Sequence, residues 1–522
     1  MAETLISPGV LARENDQSFV TSQPVERGAA IIGPAVLGPV EKPTLISSFS
    51  SYQAIFGGAL ESGSGEFTYL TSIAANQYFQ NGGNSLLVTR VTSGSFTSAT
   101  SSAVVGQTGS VVPNAFTLET ISEGAIMNTG TTEITNGALV SGSTDNLRWE
   151  IAASNSASGV FSLLIRRGDD TNNNRVVLES YNNISLDPFA SNYISRAIGD
   201  ISSNLVTEGV DTFLQESGSF PNISNYVRVK SVNNPTPRYF NNDGSAKIQF
   251  TGSMPQVGSG SFNGAVGSNI PTNRTANFYQ NINATDTQGL VGSDYDNAIA
   301  LLANQDDYQF NVISVPGLST QHQTAQITSV MNNSISRGDS IAVIDLVGYN
   351  QPINAVTQQA GGIDNSYTAT YWPWLQTVDP NSGQLVYIPA STFIPGVYAF
   401  TDASSDPWFA PAGITRGGMG QVVRAERKLT STNRDTLYEA NVNPIATFPS
   451  QGVVVFGQKT LQKAASALDR VNVRRLLITL KGYISQIADN LVFEQNTIAT
   501  RQNFLTQVNP YLESVQQRQG LY

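Results

Sequence analysis

The sequence predicts a multidomain protein of mixed α/β class (α+β), with an α/β core built from N- and C-terminal parts and β-rich material inserted between them. Three observations predict it. Strand-length apolar runs alternate with helix-length amphipathic segments up to residue 92 and again from residue 287. Residues 93–286 change to Ser/Thr/Gly-rich stretches with short alternating strands. The chain has 522 residues, ample material for more than one hydrophobic core.

Residues 1–22 read as an extended arm, because Ser7-Pro8-Gly9-Val10 breaks helix and Glu14-Asn15-Asp16-Gln17 offers no apolar face. Such a segment is either free or adds a strand to a neighbour's sheet, since its backbone groups are unpaired. Ala29-Ala30-Ile31-Ile32-Gly33-Pro34 and Ala35-Val36-Leu37-Gly38-Pro39 predict strand, turn, strand. Residues 49–56 form a mixed element. Leu70, Ile73, Ala74 and Tyr78 have helical spacing, stopped by Asn81-Gly82-Gly83, and 86–91 reads as a buried strand.

In the insertion, strands are expected at 116–118, 147–151, 161–165, 176–178, 226–229 and 247–250, with a helix within 191–205. The core pattern then resumes as helix 295–303, strand 310–315, helix 320–336 closed near Gly338, and strand 340–347. That spacing fits a right-handed βαβ crossover with parallel strands. The expected divisions are therefore the arm 1–22, an α/β domain of 23–92 and 287–370, the insertion 93–286, and a C-terminal domain 371–522.

The C-terminal domain predicts a strand at 452–457, a helical turn after Lys459, a long amphipathic helix, a helix capped at Asn496-Thr497, and a last helix starting at Asn509-Pro510. On the long helix Val473, Leu476, Leu477, Leu480, Ile484, Ile487, Ala488 and Leu491 share an arc of roughly 120°, the width of a core-facing stripe. Arg474 and Lys481 fall beyond its edge, Arg475 lies further round, and Ile478 sits among polar neighbours. That outer face, with Arg470, is expected to meet a partner.

Composition excludes several functions. A net charge of -11 argues against nucleic-acid binding and gives no reason for membrane-surface binding. Apolar runs such as 453–456 are far below membrane-spanning length, and the N-terminus lacks the basic start of a signal peptide, so a soluble protein made in a cytoplasm is expected. There are no cysteines and one histidine, His322, which removes thiolate sites, cysteine nucleophiles and multi-histidine metal sites. No G-x-S-x-G accompanies His322. The stretch from Gly452 to Thr460 is one residue out of register with a phosphate loop, and its apolar intervening residues form strand rather than an anion cradle. Asp169-Asp170 and Asp306-Asp307 read as solvated turns. No catalytic, cofactor or metal residue is therefore assigned. Between Arg416 and Lys481, however, eleven basic residues face four acidic ones, a surplus of seven in an acidic chain, an asymmetry that steers oriented assembly.

In their order along both ends, Pro8-Gly9-Val10, Gly33-Pro34, Gly38-Pro39, Phe79-Gln80-Asn81-Gly82-Gly83, Tyr371-Trp372-Pro373-Trp374, Pro395-Gly396-Val397-Tyr398, Asn443-Pro444-Ile445, Val473-Arg474-Arg475-Leu476 and Phe493-Glu494-Gln495-Asn496 resemble the contractile tail sheath proteins of bacteriophages and related injection machines. The resemblance implies a non-enzymatic virion subunit without cofactor, assembled in the host cytoplasm into hexameric rings around a tail tube, with baseplate and tail terminator proteins as further partners. It implies that Pro8, Gly9 and Val10 link neighbouring subunits by strand exchange, and that Arg470, Arg474, Arg475, Ile478 and Lys481 meet the tube or a neighbour. Family members continue past a segment like Gln519-Gly520-Leu521-Tyr522 into a β-rich arm, which this chain is expected to lack. A bacteriocin or injection-system sheath is the close alternative, a β-rich host-binding adhesin the alternative of another class, and a hydrolase using His322 the third.

Overall fold

The computed structural model describes residues 28–62, 65–109, 111–209, 211–268 and 278–521. The arm residues Pro8, Gly9 and Val10 lie outside them. The described residues fall into two compact units, one ending at Thr479 and one running from Leu480 onward.

The larger unit is organised on an eight-stranded mixed sheet. Six strands run parallel in the order Leu86–Arg90, Ala29–Gly33, Val312–Ser319, Ile341–Asp345, Thr368–Trp372 and Asn443–Phe448. An antiparallel strand closes each side, Thr44–Ile46 and Gly452–Val455. The expected crossover is there: helix Thr324–Arg337 joins two parallel strands and ends at Gly338, whose φ of 65° is the left-handed conformation that glycine adopts without strain.

Period-two alternation along these strands builds a core on each face. Ala29, Ile31, Val312, Ile341, Val343, Ala369 and Tyr371 pack on one side with helices Leu70–Gln80 and Ile394–Ser404. Ala30, Ile32, Ile313, Ala342, Ile344 and Trp372 pack on the other with helices Asp296–Leu301, Thr324–Arg337 and Ile353–Gly361. Burial on both faces is why the strands read as unbroken apolar runs.

The insertion has its own core and a seven-stranded antiparallel sheet, in the order Val177–Ile184, Val160–Arg167, Leu147–Asn155, Gly258–Asn263, Ser98–Ser101, Phe116–Glu123 and Val227–Val232. The two-stranded ribbon Ser202–Glu208 and Asp211–Ser217 returns to lie against helix Asp296–Leu301 of the core.

Five expectations change. A boundary at 370/371 would cut strand Thr368–Trp372, and the sheet continues through Asn443–Phe448 to Gly452–Val455. Residues 35–39 do not form a strand, because the buried Arg90 guanidinium gathers the carbonyls of Ala35 at 3.1 Å, Val36 at 3.3 Å and Gly38 at 2.6 Å, which curls the chain around it. Residues 247–250 do not form a strand; Ile248–Thr251 is a short helix, and the slot beside Leu147–Asn155 is taken by Gly258–Asn263. There the Trp149 ring lies where a Cβ on Gly260 would stand, so only glycine fits. The helical turn expected after Lys459 appears later, at Ala467–Asp469. Finally, Pro510 does not start a helix but lies inside the single helix Ile498–Gln517, capped by Thr497. Packing of Val508, Tyr511 and Leu512 with Tyr483 and Ile487 in the smaller unit outweighs the roughly 3 kcal/mol cost of an interior proline.

Candidate assembly surface

Helix Val471–Asp489 starts inside the core, with Val471 buried and its N–H donated to the Gln458 carbonyl at 2.9 Å. Leu476, Leu480 and Ile487 are buried as their spacing requires, while Leu477 stays 40% exposed.

The expected outer face does not form. Arg474, Arg475 and Ile478 are only 7%, 3% and 5% exposed. Arg474 donates to the Ser366 carbonyl at 3.2 Å and to its hydroxyl, with its guanidinium 3.9 Å from the centre of the Tyr367 ring. Arg475 pairs with Asp402 over the face of Tyr398, and Ile478 joins the sheet core. The physical reason is that a planar guanidinium is weakly hydrated and accepts burial where a ring face and fixed acceptors replace water. Of the five residues expected to face a partner, Lys481 is exposed and Arg470 is half-buried, the latter bonded to the Tyr438 hydroxyl and paired with Asp469 at 3.1 Å.

The same pairing recurs through most of the basic segment. Eight of its eleven cations lie over aromatic rings: Arg416 on Phe409, Arg424 on Tyr387, Arg427 on Trp372, Arg434 on Phe448 and Phe456, Lys459 and Arg470 on Tyr438, Arg474 on Tyr367 and Arg475 on Tyr398. Such contacts fix the cations in place without neutralising them. The interleaving of basic and aromatic residues was visible in the sequence; the pairing was not.

The stretch that resembled a phosphate loop is committed to structure. Asn443 Oδ1 accepts the Lys459 N–H at 2.6 Å, and Lys459 Nζ donates to the Tyr438 carbonyl at 2.8 Å and Asn441 Oδ1 at 3.1 Å. Burial pushes the Lys459 pKa down, and Arg470 beside it acts in the same direction. Burial also lowers the pKa of His322. Among the described residues no group of three or more acidic or histidine side chains is placed to hold a metal ion.

Sequence reasoning also missed two buried arginine sites. Arg90 donates to the Glu123 carbonyl at 2.9 Å as well as to the 35–38 loop, and Lys42 pairs with Glu123 at 3.0 Å, so the core is clasped to the root of the insertion. Inside the insertion, Arg148 and Arg166 share Asp170, with Glu133 and Glu150 as outer partners; Asp170 is therefore buried between two guanidinium groups and not in the solvated turn expected of Asp169-Asp170. An arginine inside an otherwise apolar strand, as in Leu86-Leu87-Val88-Thr89-Arg90-Val91, was the available signal.

The larger unit is thus a two-faced sheet with an insertion clasped to it and a row of cations stacked on rings. Residues 288–461 match the family model of the phage tail sheath protein central domain. The tail sheath protein of Vibrio phage KVP40 is 28% identical over 313 residues, covering 54% of this chain and 43% of the relative. That of Enterobacteria phage T4 is 31% identical over 181 residues, covering 35% of this chain and 28% of the relative. The crystal structure of a sheath tail protein from Listeria innocua shares the fold, with a TM-score of 0.51 at 11% identity over 95% of this chain and 86% of that one. The chain spans less than half the length of these curated relatives. It resembles contractile tail sheath proteins, as its ordered motifs indicated.

Proposed function

We propose that the chain is a structural subunit of a contractile phage tail sheath, polymerised as helical rings around a tail tube, whose contraction drives the tube through the host envelope. The observation that carries this is the sheath central-domain match over 288–461, which contains five of the eight strands of the large sheet.

On this reading the protein acts without catalysis, as the outer layer of a virion tail assembled in the host cytoplasm. Its partners are further copies in hexameric rings, the tube, the baseplate and the tail terminator. The arm with Pro8, Gly9 and Val10 links subunits by strand addition. Of the five residues expected to meet the tube or a neighbour, that contact falls to the two cations that keep access to solvent, Arg470 and Lys481. Electron microscopy of the native particle with the chain specifically labelled tests the proposal. Label along the outer layer of a contractile tail is expected, and label confined to fibres or baseplate overturns it.

A further inference from the structure

One cation in the basic segment lies over two rings. The Arg434 guanidinium lies 5.5 Å from the centre of the Phe448 ring and 5.7 Å from that of Phe456, and the two rings meet edge to face at 4.9 Å. Its hydrogen bond is a long one, 3.4 Å to the Leu429 carbonyl, and among the described residues no carboxylate pairs with it. Phe456 is 45% exposed. Beside it the backbone brings up two more exposed apolar residues. Gly417 accepts the Val455 N–H at 2.8 Å, just after the turn that carries Ile414, and Met419 donates to the Val453 carbonyl at 3.0 Å, leading into the strand with Val423. Ile414 is 57% and Val423 54% exposed, the latter at a register shift, where a bulge redirects a side chain.

Single exposed apolar residues are ordinary, but several on adjoining segments around an unneutralised, ring-clamped guanidinium form an anchor of the kind found at interface centres. We propose that this face, Arg434, Phe448 and Phe456 continued by Val423 and Ile414, docks an acidic segment of a second copy of this chain. Charge complementarity selects that occupant. The segment from Arg416 to Lys481 carries +7 while the whole chain carries -11, so the remainder carries -18. A basic anchor on one copy meeting an acidic surface on the next is a heterologous contact, and repeated heterologous contacts build open helical arrays. The inference rests on the sheath reading and adds to it a side-chain contact separate from strand exchange.

The test places a photoreactive benzoylphenylalanine at Phe456 in the full chain, within assembled particles, and maps the adducts by mass spectrometry. Adducts on an acidic stretch of a second copy are expected. Adducts on the tube or another protein, or none between chains, overturn the proposal. In parallel, Arg434→Glu is expected to retain the wild-type melting temperature and to lower the yield of long assemblies by about tenfold, with Arg434→Lys recovering part of it. Normal assembly of Arg434→Glu sinks this surface alone, whereas a wild-type chain absent from the tail's outer layer sinks the sheath reading.

Discussion

The guanidinium of Arg475 lies 4.7 Å from the centre of the Tyr398 ring, and the Tyr398 hydroxyl is hydrogen-bonded to that of Tyr371 at 2.7 Å. Asp402 completes the arrangement by pairing with the same guanidinium. Arg475→Glu would remove a buried guanidinium and set a carboxylate beside Asp402, whose side chain is 30% exposed, so a loss of about 3 kcal/mol is expected, read as a lowered denaturation midpoint. Lys481→Glu, at an exposed position, is expected to stay within about 0.5 kcal/mol of the parent. Equal stability of the two variants would show that Arg475 is not held as described.

Asp170 is the shared acceptor of the insertion. It takes Arg166 Nε at 2.6 Å and Nη2 at 2.8 Å, and Arg148 at 3.3 Å, with all three side chains essentially inaccessible. Asp170→Asn removes the carboxylate that the two buried cations share and leaves each with its outer glutamate, which is expected to destabilise the insertion by about 3 kcal/mol. Because the insertion has a core of its own, the loss should appear in hydrogen exchange of Leu147–Asn155 and Val160–Arg167, with Ile341–Asp345 unchanged. Uniform loss of protection across both sheets would contradict the separate cores.

The core strands were legible because burial on both faces leaves a continuous apolar run, and the helices because one buried stripe repeats every 3.6 residues. The crossover at 312–345 follows from those two patterns alone. The fate of the arginines was not legible, because it depends on partners distant in sequence: Ser366, which accepts from Arg474, lies 108 residues earlier. Helical spacing placed Arg474 at the edge of the apolar stripe correctly, but what covers that edge is a tertiary matter. The 370/371 boundary failed for a similar reason, since a parallel partner strand, Asn443–Phe448, comes only after a long excursion.

Arg90 joins the two legible halves, with Nη1 donating to both Gly38 and Glu123. Arg90→Met keeps the bulk of the side chain and removes every donor, leaving the carbonyls of Ala35, Val36, Gly38 and Glu123 to find new partners. A cost of about 3 kcal/mol is expected, taking the loss of several buried hydrogen bonds to a charged group together. Limited proteolysis checks the location: new cleavage should begin in residues 34–42, where the clasp is released. Cleavage unchanged from the parent would show that the loop does not need the guanidinium.

Asp345 ends a central strand of the sheet, wholly buried, where its carboxyl accepts the Ser391 N–H at 3.1 Å and the Ser391 hydroxyl. Burial pushes its pKa up to about 7, against the smaller downward pull of the Ser391 hydrogen bonds. The folded chain therefore binds this proton more tightly than the unfolded chain, whose aspartates titrate near 3.9. The stability contributed by the protonated form is complete below about pH 4 and is lost as pH rises through about 7. Asp345→Asn imitates the protonated acid, since its amide can donate to the Ser391 hydroxyl as the carboxylic acid does, and it has no charge to bury. Denaturant unfolding of both proteins over pH 4 to 8 should show the stability of the variant relative to the parent rising through that window and levelling above about 7. A relative stability constant with pH would mean that Asp345 titrates alike in the folded and unfolded chains, and the buried carboxyl at the sheet end would then have to be reached by water.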